Sequence, residues 1–228
     1  MTPSALPPPR WVSFDCYGTL IDWEEGIRRA FRELIFVRDE AEADFFQVWE
    51  RIQWEKVHEP YAPYVEILQA SFDQTLTEFG YPCPGYAVEA FVDSLARWQP
   101  FPDVHPSLSR LSQRCRLAII SNTDRDLLGR SLRHFPVRFD ALVTAEDARA
   151  YKPSPEIFRY ALKRLACPAQ EIVHVAFGAN YDLQPAGALG MRVVHLNRKN
   201  LPGVNVPVEA EIRGLEELPL LWEASSFG

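Results

Sequence analysis

The chain has 228 residues, a formal charge of −7, 47% hydrophobic and 24% charged residues. That composition belongs to a folded globular protein with a sizeable core and excludes wholesale disorder. An acidic balance without basic clusters argues against nucleic acid or an anionic membrane as partner, and no apolar run approaches the roughly 20 residues needed to span a bilayer.

The start, MTPSALPPPRW, lacks the basic and apolar segments of a signal peptide and reads as a short extended arm. The four cysteines, Cys16, Cys83, Cys115 and Cys167, form no CxxC pair, so a reduced, cytoplasmic protein is expected. The first strand signal is Trp11–Phe14, which stops at Asp15 and turns through Gly18. From about Asp22 to Gln99 no strand is evident. Helical periodicity runs over Glu40–Lys56, Tyr64–Phe79 and Ala87–Arg97, with breakers at 80–85, and Pro100-Phe101-Pro102 marks a return to a different pattern. Further strands are predicted at Arg116–Ile120, Ala141–Thr144, Glu171–Ala176 and Arg192–Leu196. Helices fall between them at Asp126–His134, Pro155–Leu165 and Leu183–Leu189, the last stopped by Gly190. This alternation means right-handed βαβ units: an α/β, Rossmann-like parallel sheet of residues 1–21 and 100–228, with a mostly α-helical insertion of residues 22–99 after the first strand.

Four polar clusters follow the predicted strands or their loops: Asp15 to Thr19, Ser121-Asn122, Lys152, and Asn180 to Asp182. In an open parallel sheet the carboxyl ends of the strands converge on one crevice, so these clusters are expected to meet. Their sequence resembles the haloacid dehalogenase superfamily of hydrolases. Asp15-Cys16-Tyr17-Gly18-Thr19-Leu20 is similar to its first motif, Ile120-Ser121-Asn122 to the second and Tyr151-Lys152-Pro153 to the third. Asp182, with Pro185–Ala188 and Gly190-Met191, resembles the end of the fourth. The helical segment lies where that superfamily inserts its cap.

The resemblance implies that Asp15 is the nucleophile and opens two chemistries. The phosphatases of the superfamily place a second Asp two positions on, as the proton donor to a basic leaving group. They also carry an acidic residue early in the fourth motif that helps hold Mg²⁺. Here those positions are Tyr17 and Phe177. Halide departs without a proton, and the dehalogenase branch also has Tyr at the position of Tyr17. The implied enzyme is therefore a metal-independent, cofactor-free hydrolase of short 2-haloalkanoic acids, of the L-2-haloacid type, acting through an ester on Asp15. Two rival readings are a phosphatase of a small phosphate ester and a non-catalytic binding protein on the same scaffold.

The resemblance assigns catalytic roles to Asp15, Thr19, Ser121, Lys152 and Asp182. Lys152 would hold Asp15 ionised and counter the tetrahedral intermediate, and Asp182 would position Lys152 and the water. On the substrate and halide side it points to Cys16, Tyr17, Asn122, Asn180 and a cap arginine. The nearest candidate for that arginine around Trp49-Glu50-Arg51 is Arg51, one residue out of register. The chain departs from the branch at Phe177-Gly178-Ala179, which replace a Ser-Ser-Asn run, and at Phe158, which replaces a Tyr. Homodimers are common among such proteins, and a homodimer is the implied assembly.

Other polar and aromatic residues read as structural. The Cys16 thiol is expected to be packed and inert. His174 and His195 read as core or wall groups and not metal ligands. Trp49, Trp54, Tyr61 and Tyr64 read as cap packing, with one or two facing the crevice. Lys163-Arg164 and Asn197-Arg198-Lys199 read as solvated charges, and Glu40, Glu42 and Asp44 as an exposed helix start.

Overall fold

The computed structural model describes residues 7–37 and 41–226, with side chains as far as Trp222. The expectations for Glu40 and for most of the N-terminal arm lie outside these residues. Six parallel strands, β1 (Trp11–Phe14), β2 (Arg116–Ser121), β3 (Ala141–Thr144), β4 (Ile172–Ala176), β5 (Arg192–Leu196) and β6 (Ala210–Ile212), form one sheet in the order β3-β2-β1-β4-β5-β6. All five expected strands form. β6 is too short and too polar, Ala210-Glu211-Ile212, to carry an apolar signal of its own. β1 and β4 are neighbours where the chain order reverses direction across the sheet, and in open α/β sheets ligands bind beyond the strand ends at that point.

Between β1 and β2 the described chain is helical: α1 (Trp23–Ile35), α2 (Glu42–Lys56), α3 (Tyr64–Glu78) and α4 (Ala87–Ser94), with α5 (Val104–Leu111) leading back to β2. α1 starts at Asp22, whose carboxylate accepts from the Glu25 N–H. Phe31, Phe45, Phe72 and Phe91 bury their rings against one another and hold the helices as one layer. The two chain crossings lie side by side, the Asp22 N–H donating to Gln99 O at 2.9 Å and Phe101 N–H to Leu20 O at 3.0 Å. A second tie runs from the sheet side: Asp124, beyond β2, accepts the Tyr64 and Val65 N–H groups at the start of α3, at 2.9 and 2.8 Å. Like a capping side chain, it satisfies donors that helix geometry leaves free, here from a distant part of the chain.

α6 (Arg125–Leu132), α7 (Ala145–Ala148), α8 (Pro155–Leu165) and α9 (Gln184–Ala188) complete the crossovers. α8 begins at the Ser154 cap with Pro155 in its first turn. The helix expected from Leu183 is preceded by a π-helical turn over Ala179–Leu183, which carries Asp182. Strand alternation sends Val12, Phe14, Val173 and Val175 into one core. Trp11, Ala118, Ile120 and Ile172 enter the other, against residues of α8 and α9.

Two expectations of solvated charge are corrected. Arg198 donates to Asp103 at 2.7 Å and to Thr19 O at 3.0 Å, with its guanidinium over Phe101, and Asn197 is buried and bonded to Leu201 and Glu211. Glu42 is buried because Arg32 folds onto it, bonding both its oxygens. Among the described residues no helix is long and apolar enough to cross a membrane.

Candidate active site

Asp15 follows β1 directly, and its N–H continues the ladder onto Val175 O of β4 at 3.1 Å. The chain then turns tightly: Leu20 and Ile21 N–H donate to Cys16 O, and Gly18 N–H donates to Ile21 O. Gly18 has φ +96°, and a Cβ there would overlap the Phe177 ring, so glycine is required on both counts. The turn returns Thr19 beneath the carboxylate it follows, with Oγ1 donating to Asp15 Oδ2 at 2.9 Å.

Lys152 reaches the same carboxylate from beyond β3. Its Nζ donates to Asp15 Oδ1 at 2.6 Å, Asp182 Oδ1 at 2.7 Å and Ile120 O at 3.1 Å, which uses all three ammonium protons. Asn122 fixes the Lys152 backbone from both sides, accepting its N–H at 2.7 Å and donating to its carbonyl at 2.9 Å. The side chains of Asp15, Lys152 and Asp182 are 9%, 2% and 2% exposed, so their charges meet with little water between them.

Electrostatics separates the two carboxylates. Burial, helped by Asp182, pushes the Asp15 carboxyl above its ordinary value against the pull of Lys152. At Asp182 burial also pushes upward, but Lys152 and His174 outweigh it and hold the carboxyl below the usual range. Burial works against the Lys152 ammonium, and the two carboxylates more than restore it. The two carboxyl groups are thus pushed in opposite directions by their surroundings, Asp15 upward and Asp182 downward.

A crevice between sheet and helical layer opens onto these groups, lined on the sheet side by Asp15, Tyr17, Ser121, Asn122, Lys152, Phe177, Tyr181 and Asp182. Ser121 Oγ is buried without a hydrogen-bond partner among the described residues, a polar atom waiting for one. The Tyr17 hydroxyl is paired with Ser131 Oγ at 2.9 Å and its ring stands edge-on to Trp98. Burial raises this phenol well above its ordinary value, which makes it a poor proton donor to any leaving group.

A metal does not fit these residues. Phe177 lays its ring over Gly18 beside Asp15, where a cation ligand would be needed, and both Asp15 and Asp182 are committed to Lys152. Among the described residues no group of three His, Cys, Asp or Glu side chains could hold one.

Three substrate-side expectations are corrected. Cys16 is fully buried in the core, with its thiol raised by burial, and does not line the crevice. Asn180 is exposed on the outer side of its π-helical turn. Arg51 also points outward, donating to Glu55 and Glu78 on the surface. The residue of α2 that lines the crevice is the preceding one, Glu50, together with Gln53 and Val57; Trp23 and Tyr64 complete that wall. Burial raises the Glu50 carboxyl, with Lys199 opposing. Of the aromatic candidates, Trp49 is fully buried, Tyr61 stacks on Tyr151, and Trp54 sits edge-on to Tyr181.

His174, read from the sequence as a core or wall group, is fully buried in β4, and its contact with Asp182 was not foreseen. Its only signal was a polar residue inside an apolar strand, matched by Ser13 in β1.

The sequence profile of the haloacid dehalogenase-like hydrolases matches residues 9–190. The (S)-2-haloacid dehalogenase 1 of a Pseudomonas species is 26% identical over 222 residues, 95% of this chain and 97% of that protein. The (S)-2-haloacid dehalogenase 4A of Burkholderia cepacia is 27% identical over 91% of this chain and 93% of its own length. A dehalogenase crystal structure with an intermediate complex superposes with a TM-score of 0.85 at 25% identity, covering 96% of this chain and 99% of that one.

Proposed function

The chain belongs to the haloacid dehalogenase-like hydrolases, and within them we propose that it is a metal-independent dehalogenase of short 2-haloalkanoic acids. The observation that carries this reading is a buried carboxylate nucleophile with no second carboxyl group beside it to protonate a leaving group or hold a metal ion: Tyr17 is paired with Ser131, and the Phe177 ring covers Gly18. Such a nucleophile expels only groups that leave unaided.

An Asp15 oxygen attacks the halogen-bearing carbon, the carbon–halogen bond breaks, and halide departs with the bonding pair. Ser121, whose hydroxyl is free, offers a donor for the substrate carboxylate, and Lys152 lends its positive charge nearby. Water then adds to the Asp15 carbonyl carbon. The tetrahedral oxyanion forms next to Lys152 Nζ, and its collapse returns the Asp15 carboxylate, a 2-hydroxy acid and a proton. Thr19 holds the Asp15 rotamer in both steps, Asn122 holds Lys152, and Asp182 holds Lys152 and the water.

The cap of this reading is residues 22–99, supported by the paired crossing at Asp22 and Gln99. The reading includes a cytoplasmic location and a homodimer, the latter decided by sedimentation.

Halide release from chloro-, bromo- and fluoroacetate and both 2-chloropropionate enantiomers, with EDTA present, tests the function. The expected result is release indifferent to chelator and abolished by Asp15→Asn, with single turnover in ¹⁸O-water labelling the Asp15 peptide. Label confined to the product rules out the ester, and strong inhibition by EDTA favours a phosphatase.

A further inference from the structure

The reaction above makes no use of a second polar chain that runs from the active carboxylates into the sheet. His174 is fully buried in β4. Its Nε2 lies 3.1 Å from Asp182 Oδ1, the same oxygen that accepts from Lys152 Nζ, and its Nδ1 lies 3.0 Å from Ser13 Oγ. Ser13 and His174 are register partners on the adjacent strands β1 and β4, and the Phe158 ring of α8 stands edge-on to the imidazole, centroids 5.4 Å apart. Strand, hydroxyl and ring leave the imidazole one orientation.

We propose that His174 is a positioning residue for ester hydrolysis, holding the Asp182 carboxylate in the plane that faces the crevice. The inference rests on the two-step reading through Asp15. Two heteroatoms at this separation need a proton between them. Asp182 Oδ1 already accepts from Lys152 Nζ, so the proton on this contact is the ring's and Nε2 is the donor.

The need for a second donor changes during the reaction. In the resting site Lys152 is shared by two carboxylates. Once Asp15 is esterified it carries no charge, and Lys152 is left with Asp182 and the Ile120 carbonyl. A carboxylate held by one ammonium is free to swing and offer it both oxygens, which withdraws Oδ2 from the crevice. A donor fixed in the sheet on the far side of Oδ1 opposes that rotation. Oδ2 then stays beside Gly178, where an added Cβ would come within 3.1 Å. Phe158 stands where the dehalogenases this chain resembles have a tyrosine, so here the polar group in this layer is the imidazole and not a phenol.

Steady-state kinetics on chloroacetate with His174→Phe and His174→Gln tests this, together with quenched mass measurement of the Asp15 peptide. Phenylalanine keeps a ring under α8 but donates nothing; the glutamine amide nitrogen reaches the position of Nε2. Slowing only the second step lowers kcat and KM by the same factor and leaves kcat/KM unchanged. We expect His174→Phe to lower both on the order of 10- to 100-fold, the scale of a lost hydrogen bond to a charged group, with ester accumulating on Asp15 and with His174→Gln restoring turnover. A fall in kcat at constant KM without accumulated ester means a merely structural role and overturns the inference, as does unchanged kinetics in His174→Phe. A wild-type enzyme that forms no ester from any haloacid overturns the reaction reading itself, and this inference with it.

Discussion

The two walls of the crevice are built on different principles. On the sheet side every charged group is buried and has fixed partners: Lys152 serves Asp15, Asp182 and a carbonyl, Thr19 serves Asp15, and Asn122 clamps the Lys152 backbone. The helical side offers Trp23, Glu50, Gln53, Val57 and Tyr64, with no cation among them. The charged groups thus sit at or beyond strand ends, held by fixed hydrogen bonds, while the helical side presents mainly aromatic, amide and aliphatic groups and shares one core with the sheet.

Breaking the sheet wall should have the largest effect. Lys152→Met leaves two buried carboxylates without their cation, and removing one partner of a buried pair costs about 3–5 kcal/mol. Urea unfolding should show that loss, and halide release should vanish.

Lowering pH acts on the same wall more gradually. On the proposed mechanism Asp15 attacks only as the carboxylate, and burial raises its folded value, so kcat/KM should fall about tenfold per unit on the acid side. The midpoint of that limb should lie above the ordinary 3.8 of an aspartate. A midpoint below that value would mean that Lys152 outweighs burial.

The helical wall is probed by Glu50. Its carboxylate faces a crevice that must admit an anion and release another, so Glu50→Gln should raise kcat/KM for chloroacetate, and Glu50→Arg by more, about tenfold, the effect of 1.4 kcal/mol in a barrier. A loss of activity in both variants would instead make Glu50 a participant in the reaction. The smallest change is expected at its neighbour. Arg51→Gln removes exposed ion pairs with Glu55 and Glu78, so kinetics should stay within about twofold and the urea unfolding midpoint should not move.

Legibility in the sequence also divides along these walls. Asp15 and Ser121 could be found because each stands at the end of a short apolar strand, a place that period and composition mark, whereas Lys152, past α7, was marked by the resemblance of Tyr151-Lys152-Pro153 to the third motif. Phe177 could be read as a lost cation ligand from its place in the fourth motif, and the structure adds that its ring fills the space over Gly18. On α2 the reading failed by one residue. Successive side chains on a helix point about 100° apart, so that single step exchanges an arginine on the surface for a glutamate in the crevice. Asn180 failed for a related reason, since the π-helical turn over Ala179–Leu183 alters the phase at which its side chains emerge.

The residue types along the chain, through their periodicity and spacing, determined a parallel α/β sheet with a helical insertion, and the resemblance of its four motifs implied an aspartate nucleophile without its usual acid or metal ligand. Those are local properties, carried by neighbours along the backbone. Tertiary structure alone decided that Asp182 Oδ1 is shared by Lys152 and His174, that Ser13 backs the imidazole, that Arg198 is anchored on Asp103, and that Glu50 lines the crevice. Each depends on strand register or helix phase, which bring together residues far apart in sequence and set which way a side chain points.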